Sequence, residues 1–228
     1  MRLDKFLSDC GKGTRSELKN YIKKGAVTVG SAVIKDASFQ VAKTDEVFFK
    51  GEKVNYEHFV YLMLNKPQGV VSATSDKHYK TVIDLLGDEY KHFNLFPVGR
   101  LDIDTEGLLI LTNDGNLAHK SLSPKHHVEK TYYIESENPI TEKDKEAFSE
   151  GVIIDGGYKT LSSKLEIISE YESTLTITEG KYHQVKLMFE SRNNKVTFLK
   201  RIKFGNITLD NTLKPGEYRP LKPHENAF

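Results

Sequence analysis

Leu108-Leu109-Ile110-Leu111, closed by Thr112, is an unbroken apolar run that predicts a strand too hydrophobic to face water. The bend before it crowds Arg100, Asp102, Asp104 and Glu106 together, so a charged loop is anchored to something buried. Near the N-terminus, Thr14-x-x-Glu17 has the form of a capping box, with Leu18, Tyr21 and Ile22 following at helical spacing and Gly25 placed to end the helix. The other face of that helix carries Arg15, Lys19 and Lys23, one basic stripe. Val27–Val29 and Glu46–Phe49 read as short strands, and Asn55-Tyr56-Glu57-His58 as a polar junction. This pattern predicts a small domain over 1–58 and a larger one over 59–228.

In the larger domain, strands are expected at 60–64, 70–73, 108–112, 131–134, 174–178 and 196–199. One helix is expected after Thr141 and another from about His183 to Glu190, with Tyr182, Val185, Met188 and Phe189 on one apolar face. Residues 65–69, 113–115 and 214–216 carry strong turn signals. Strands and helices alternate without βαβ regularity, so the class is α+β, with a mostly antiparallel or mixed sheet and flanking helices.

Composition narrows the function. Among 228 residues, 38% are hydrophobic and 29% charged, which is globular rather than disordered. The net charge is only +1, so any basic footprint must be local. Two are visible: residues 1–24 hold seven Lys/Arg against three Asp/Glu, and residues 181–203 hold seven against Glu190 alone. Tyr182, His183, Phe189, Phe198 and Phe204 interleave with the second cluster; Phe189 and Phe198 read as core, and Lys186, Lys200 and Arg201 as facing a partner. Two basic surfaces in a near-neutral chain point to an extended anionic partner, with phosphates held by cations and bases stacked on aromatics. Cys10 is the sole cysteine, which excludes an intrachain disulfide and a cysteine-built metal site. The start carries acid and base together and no membrane-length apolar stretch exists, so a cytoplasmic protein without signal peptide or membrane span is expected. With no exposed heptad, monomer is the default.

Several chemistries fail on the residues. Asp102-x-Asp104-x-Glu106-Gly107 begins like a calcium loop, but Asn113 stands where a bidentate Glu is required. His126-His127 are adjacent and expected to point apart on a strand, which gives no metal pattern. Neither a phosphate loop, a dinucleotide fingerprint nor a Gly-x-Ser-x-Gly elbow is present, so no metal and no nucleotide cofactor is expected.

Gly99-Arg100-Leu101-Asp102, Lys130-Thr131-Tyr132 and Glu179-Gly180-Lys181-Tyr182-His183-Gln184-Val185-Lys186 occur in the order found in RNA pseudouridine synthases, which this chain resembles over nearly its whole length. Arg2-Leu3-Asp4-Lys5-Phe6-Leu7 with Thr14-Arg15-Ser16 resembles an S4 RNA-binding domain, and Leu64–Gly69 and Gly216–Leu221 strengthen the match. Leu187 departs from the pattern, where many relatives carry a second basic residue. The resemblance implies a cofactor-free isomerase of ribosomal RNA, most directly of uridine 516 in 16S RNA; a large-subunit target and a non-catalytic ribosome-assembly binder are the alternatives. It implies that Asp102 is the catalytic carboxylate, that Lys186 pairs with it, that Tyr132 stacks on the target base and that Arg100 fills the space the base leaves. Asp104 and Glu106 are read as shaping the bend. RNA contacts are expected from Arg2, Lys5, Arg15, Lys19 and Lys23 in the small domain, and from Lys66, His183, Gln184, Lys200 and Arg201 in the large one.

Overall fold

The computed structural model describes residues 1–54, 56 and 59–225, and its chain divides into two compact units. Of the expected polar junction, Asn55, Glu57 and His58 lie outside the described residues. The first unit comprises Met1–Val60 together with Leu86–Leu95, a segment that the sequence pattern had left with the second.

In the first unit, α1 (Leu3–Asp9) and α2 (Arg15–Lys23) pack beside an antiparallel sheet of β1 (Val27–Val29), β2 (Ala32–Val33), β3 (Val47–Phe49) and β4 (Glu52–Val54), ordered β2-β1-β3-β4. The capping box forms: Thr14 Oγ1 accepts from Glu17 N–H at 3.3 Å, and Glu17 Oε2 accepts from Thr14 N–H at 2.9 Å. Leu3, Phe6 and Leu7 of α1 share a core with Leu18, Ile22, Val27 and Val47. Asp4 is fully buried beneath two guanidinium groups, Arg2 at 3.1 Å and Arg15 at 2.8 Å. Burial works to raise this carboxyl, but the hydrogen bonds and charges of both arginines outweigh it and hold the group at about 2.

The second unit contains β5 (Tyr61–Lys66), β6 (Phe96–Val98), β7 (Glu106–Thr112), α3 (Gly115–Leu122), β8 (Lys130–Ser136), α4 (Glu142–Glu150), β9 (Ile153–Ile154), β10 (Tyr158–Lys159), β11 (Lys164–Ile167), β12 (Glu172–Ile177), α5 (Gln184–Glu190), β13 (Val196–Phe204), β14 (Ile207–Thr208) and β15 (Tyr218–Pro220). Its main sheet runs β11-β12-β8-β13-β7-β5-β15, with β14 on β13 and β6 on β7, while β9 and β10 form a separate ribbon. Among the described strands of this sheet only β7 and β13 pair in parallel, so the sheet is mixed and the class α+β, as expected. Residues 107–112 are all buried, as the apolar run demands of a strand with neighbours on both edges and cover on both faces.

Local signals misled at four places. No strand forms at 70–73, where Val71 makes a single bridge to Thr81. Asp114 in the expected turn is instead the N-cap of α3, its Oδ1 accepting from the N–H groups of Asn116 and Leu117 at 3.1 Å each. His126 closes a 3-10 turn, Pro124–His126, and His127 follows in the left-handed region at φ 46°, so neither is on a strand. Tyr182 precedes α5 and is 77% exposed, leaving Val185, Met188 and Phe189 as that helix's apolar face.

Gly107 marks the tightest point of the parallel junction. Its φ is +104°, and a Cβ there would lie 2.2 Å from the Arg201 carbonyl oxygen. We expect Gly107→Ala to destabilise the protein by about 2–4 kcal/mol, read as a lower urea midpoint at unchanged slope. In the first unit, a carboxyl held below its ordinary 3.8 stabilises the fold above that value and loses the contribution as pH falls toward about 2. Amide exchange in α1 and α2, corrected for intrinsic rates, should therefore accelerate over that interval, whereas in Asp4→Asn it should be fast already at neutral pH.

Candidate active site

The acidic bend, residues 99–105, leaves β6 and enters β7, and its backbone is held from beneath. Ser72 fixes Leu101 twice: its hydroxyl accepts from the Leu101 N–H at 3.0 Å and donates to the Leu101 carbonyl at 2.9 Å. Gly69 N–H donates to the Ile103 carbonyl at 2.8 Å, and Thr105 N–H to that of Asp102 at 3.1 Å. Lys66, at the end of β5, is fully buried. Its Nζ donates to the carbonyls of Asp102 and Thr105 at 2.9 Å each and of Pro67 at 3.0 Å, one acceptor per proton. Burial pushes this ammonium down to about 8, while Asp104, Asp102 and Glu106 pull it upward, so it is mainly protonated at neutral pH.

The bend's side chains meet a second lysine. Lys186 of α5 places Nζ 3.3 Å from Asp102 Oδ2 and 2.6 Å from Asp104 Oδ1. Burial works to lower Lys186, but the hydrogen bond to Asp104 and the charges of both carboxylates outweigh it and raise the group. Burial likewise works to raise Asp104, and the Lys186 contact overrides it, leaving that carboxyl below its ordinary value. On the other side, His183 Nε2 lies 3.6 Å from Asp102 Oδ1. The sequence pattern treated Asp104 as a shaping residue; its share of Lys186 makes it part of the charged centre, and the Asp-x-Asp spacing was the available signal.

Asp102 borders a cavity of about 540 Å³, within the range that small ligands occupy. Arg100, exposed at the rim, and Tyr132, buried on β8, line it, together with Lys130, His183 and Phe204. Arg100, Asp102, Tyr132 and His183 line both this cavity and a smaller one, with Arg201 on the wall of the larger and Lys186 on that of the smaller.

Three expected RNA contacts are placed otherwise. Lys66 is sealed under the bend by the carbonyls it binds. Gln184 is buried, its Nε2 donating to Glu179 Oε1 at 2.8 Å and its Oε1 accepting from the Lys181 N–H at 2.9 Å. Arg201 is also buried, its Nε donating to the Leu108 carbonyl at 2.8 Å, and only its cavity-facing edge is open to a ligand. Lys200 is half-buried. In the first unit, Arg2 and Arg15 are engaged by Asp4 and Lys5 by Asp9, while Lys19 and Lys23 stand exposed on α2.

Lys66→Met should remove the ammonium donor from the carbonyls of Asp102 and Thr105 in the bend and of Pro67 beside it. A loss of about 3 kcal/mol in unfolding free energy is expected from urea titration, with the salt dependence of RNA binding unchanged because no phosphate contact is removed.

Known proteins resemble both units of the chain. The family model described as RNA pseudouridylate synthase matches residues 60–191, and the S4 domain model matches residues 1–47. The chain is 50% identical over 230 residues to the uncharacterized RNA pseudouridine synthase YtzG of Bacillus subtilis, covering 99% of this chain and 96% of that one. It is 46% identical over 228 residues to the ribosomal small subunit pseudouridine synthase A of Vibrio cholerae, covering 100% and 98%. A crystal structure of a pseudouridylate synthase aligns with 99% of this chain and 97% of its own at a TM-score of 0.71 and 42% identity. Carrying an S4 domain ahead of that catalytic fold, the chain belongs to the RNA pseudouridine synthase family.

Proposed function

We propose that this chain is a cytoplasmic enzyme that isomerises one uridine of small-subunit ribosomal RNA to pseudouridine, with uridine 516 of 16S RNA as the target and Asp102 as the working carboxylate. The observation that carries this reading is the Asp102 carboxylate, held by Lys186 at 3.3 Å, on the wall of a cavity of about 540 Å³. The substrate class is supported by relatives at 42–46% identity over the full chain that are named ribosomal small subunit pseudouridine synthase A.

The reaction breaks the N1–C1′ bond, turns the uracil and joins C5 to C1′; a proton leaves C5 and N1 gains one. Nothing is oxidised and no group is imported. Asp102 acts on the nucleoside through its carboxylate, whether it attacks C1′ of the sugar or C6 of the base, or removes the C2′ proton. Lys186 orients it through Oδ2, and Asp104 holds the ammonium in place from its other side. Tyr132 stacks on the extruded uracil and relays the C5 proton. Arg100, exposed at the rim, enters the helix where the base was, offsetting the few kcal/mol that extrusion costs. Lys19, Lys23, Lys200 and His183 contact the RNA outside the reacting nucleotide, and their phosphate contacts are insensitive to sequence.

Tritium release from 5-tritiated uridine in small-subunit RNA tests this assignment. Asp102→Asn should lower turnover by about 10³-fold or more, Lys186→Met by about 10²-fold, and Asp104→Asn by less than either. RNA affinity of Asp102→Asn should remain close to wild type. Substantial turnover in Asp102→Asn would remove Asp102 from the centre, and product mapped only to large-subunit RNA would overturn the substrate.

A further inference from the structure

We propose that Tyr182, backed by His183, is a stacking platform for the unpaired base next to the target uridine, an inference that rests on the RNA-modifying reading above. Tyr182 is 77% exposed, more than any other large hydrophobic side chain among the described residues, yet it lines the cavity that Asp102 borders. One face of its ring is covered by the His183 imidazole, with centroids 3.8 Å apart and planes 18° from parallel. A ring this exposed contributes little to the core. Its orientation is nevertheless fixed.

The loop beneath it is braced from three directions. Glu179 accepts from the Tyr158 hydroxyl at 2.6 Å, from the Leu161 N–H at 2.9 Å and from Gln184 Nε2 at 2.8 Å. Gln184 in turn holds the Lys181 N–H at 2.9 Å, and the Lys181 ammonium lies 4.6 Å over the Tyr158 ring. His183 sits in the left-handed region at φ 49°, a conformation a non-glycine residue keeps only when its surroundings hold it there. The result is a rigid aromatic surface at the cavity mouth with a cation beside it.

Extruding the uridine strips each neighbouring base of one stacking partner. A neighbouring base is covalently tied to the nucleotide in the cavity, and every base has a π-face, so a pre-ordered ring at the mouth binds it without reading its identity. Lys181 supplies a positive charge for the intervening phosphate.

The test is a coupling cycle between this side chain and the RNA. Target RNA is prepared intact and with an abasic nucleotide at the 5′ or the 3′ neighbour of the uridine. Wild type, Tyr182→Ala and Tyr182→Phe are compared by kcat/KM for tritium release and by Kd from fluorescence anisotropy. With intact RNA, Tyr182→Ala should lose about tenfold in both quantities and Tyr182→Phe less than about twofold. One of the two abasic RNAs should cost wild type about tenfold and Tyr182→Ala nothing further. Losses that multiply at both neighbours overturn the platform, as does a Tyr182→Ala protein equal to wild type. A wild type that binds the RNA but releases no tritium would sink the functional reading, while the anisotropy cycle would still decide the stacking claim.

Discussion

The acidic bend depends on a buried ammonium that does not line the cavity beside it. Lys66 donates to the carbonyls of Asp102 and Thr105 within the acidic bend and of Pro67 beside it, fixing the main chain from which the Asp102 side chain projects. Each carbonyl left without a donor would cost about 1–3 kcal/mol, although that of Asp102 would keep the Thr105 N–H. A neutral side chain of the same length could not serve all three. The charge is tolerated because Asp102, Asp104 and Glu106 surround it, and their pull opposes the downward push of burial. Lys186 meets the opposite balance, since its partners are carboxylates rather than carbonyls. One lysine holds the main chain of the bend and the other its acids, so Asp102 is oriented without surrendering both oxygens.

This division requires the bend and α5 to arrive at the same place, although Asp102 and Lys186 lie 84 positions apart in sequence. The parallel contact of β7 with β13 does this. β7 continues directly from the bend and β13 follows α5, so pairing Gly107 with Arg201 brings both ends together. Glycine at 107 permits the approach, and the Arg201 side chain closes it by donating to the Leu108 carbonyl. Arg201 has a share in the cavity wall because the strand junction is itself part of that wall.

What could be read in advance follows from which forces are local. The apolar run of β7, the capping box of α2 and the apolar face of α5 are short-range patterns, and each formed. The helix α1 carries Leu3, Phe6 and Leu7 at helical spacing, but its alternating charges concealed it. Asn113-Asp114-Gly115 has the composition of a turn; Asp114 nevertheless starts a helix, and the Tyr61 hydroxyl donates to its second oxygen at 2.8 Å. Lys66 and Gln184, and Arg201 in part, mislead for one shared reason. Their residue types signal a polar role, but whether the partner is RNA or the protein's own backbone is set by tertiary contacts that no local window contains.

Gln184 shows how such a misreading still points to the site. Its amide spans from Glu179 to the Lys181 N–H, and these bonds hold the loop in which His183 keeps its left-handed backbone. That conformation costs about 1–3 kcal/mol, and it turns the imidazole toward both Asp102 and the Tyr182 ring. Relaxing His183 to an ordinary helical start would lengthen α5 and swing the imidazole away from Asp102. The strain therefore resides at the wall of the cavity that Asp102 borders, and the buried hydrogen bonds around Gln184 maintain it.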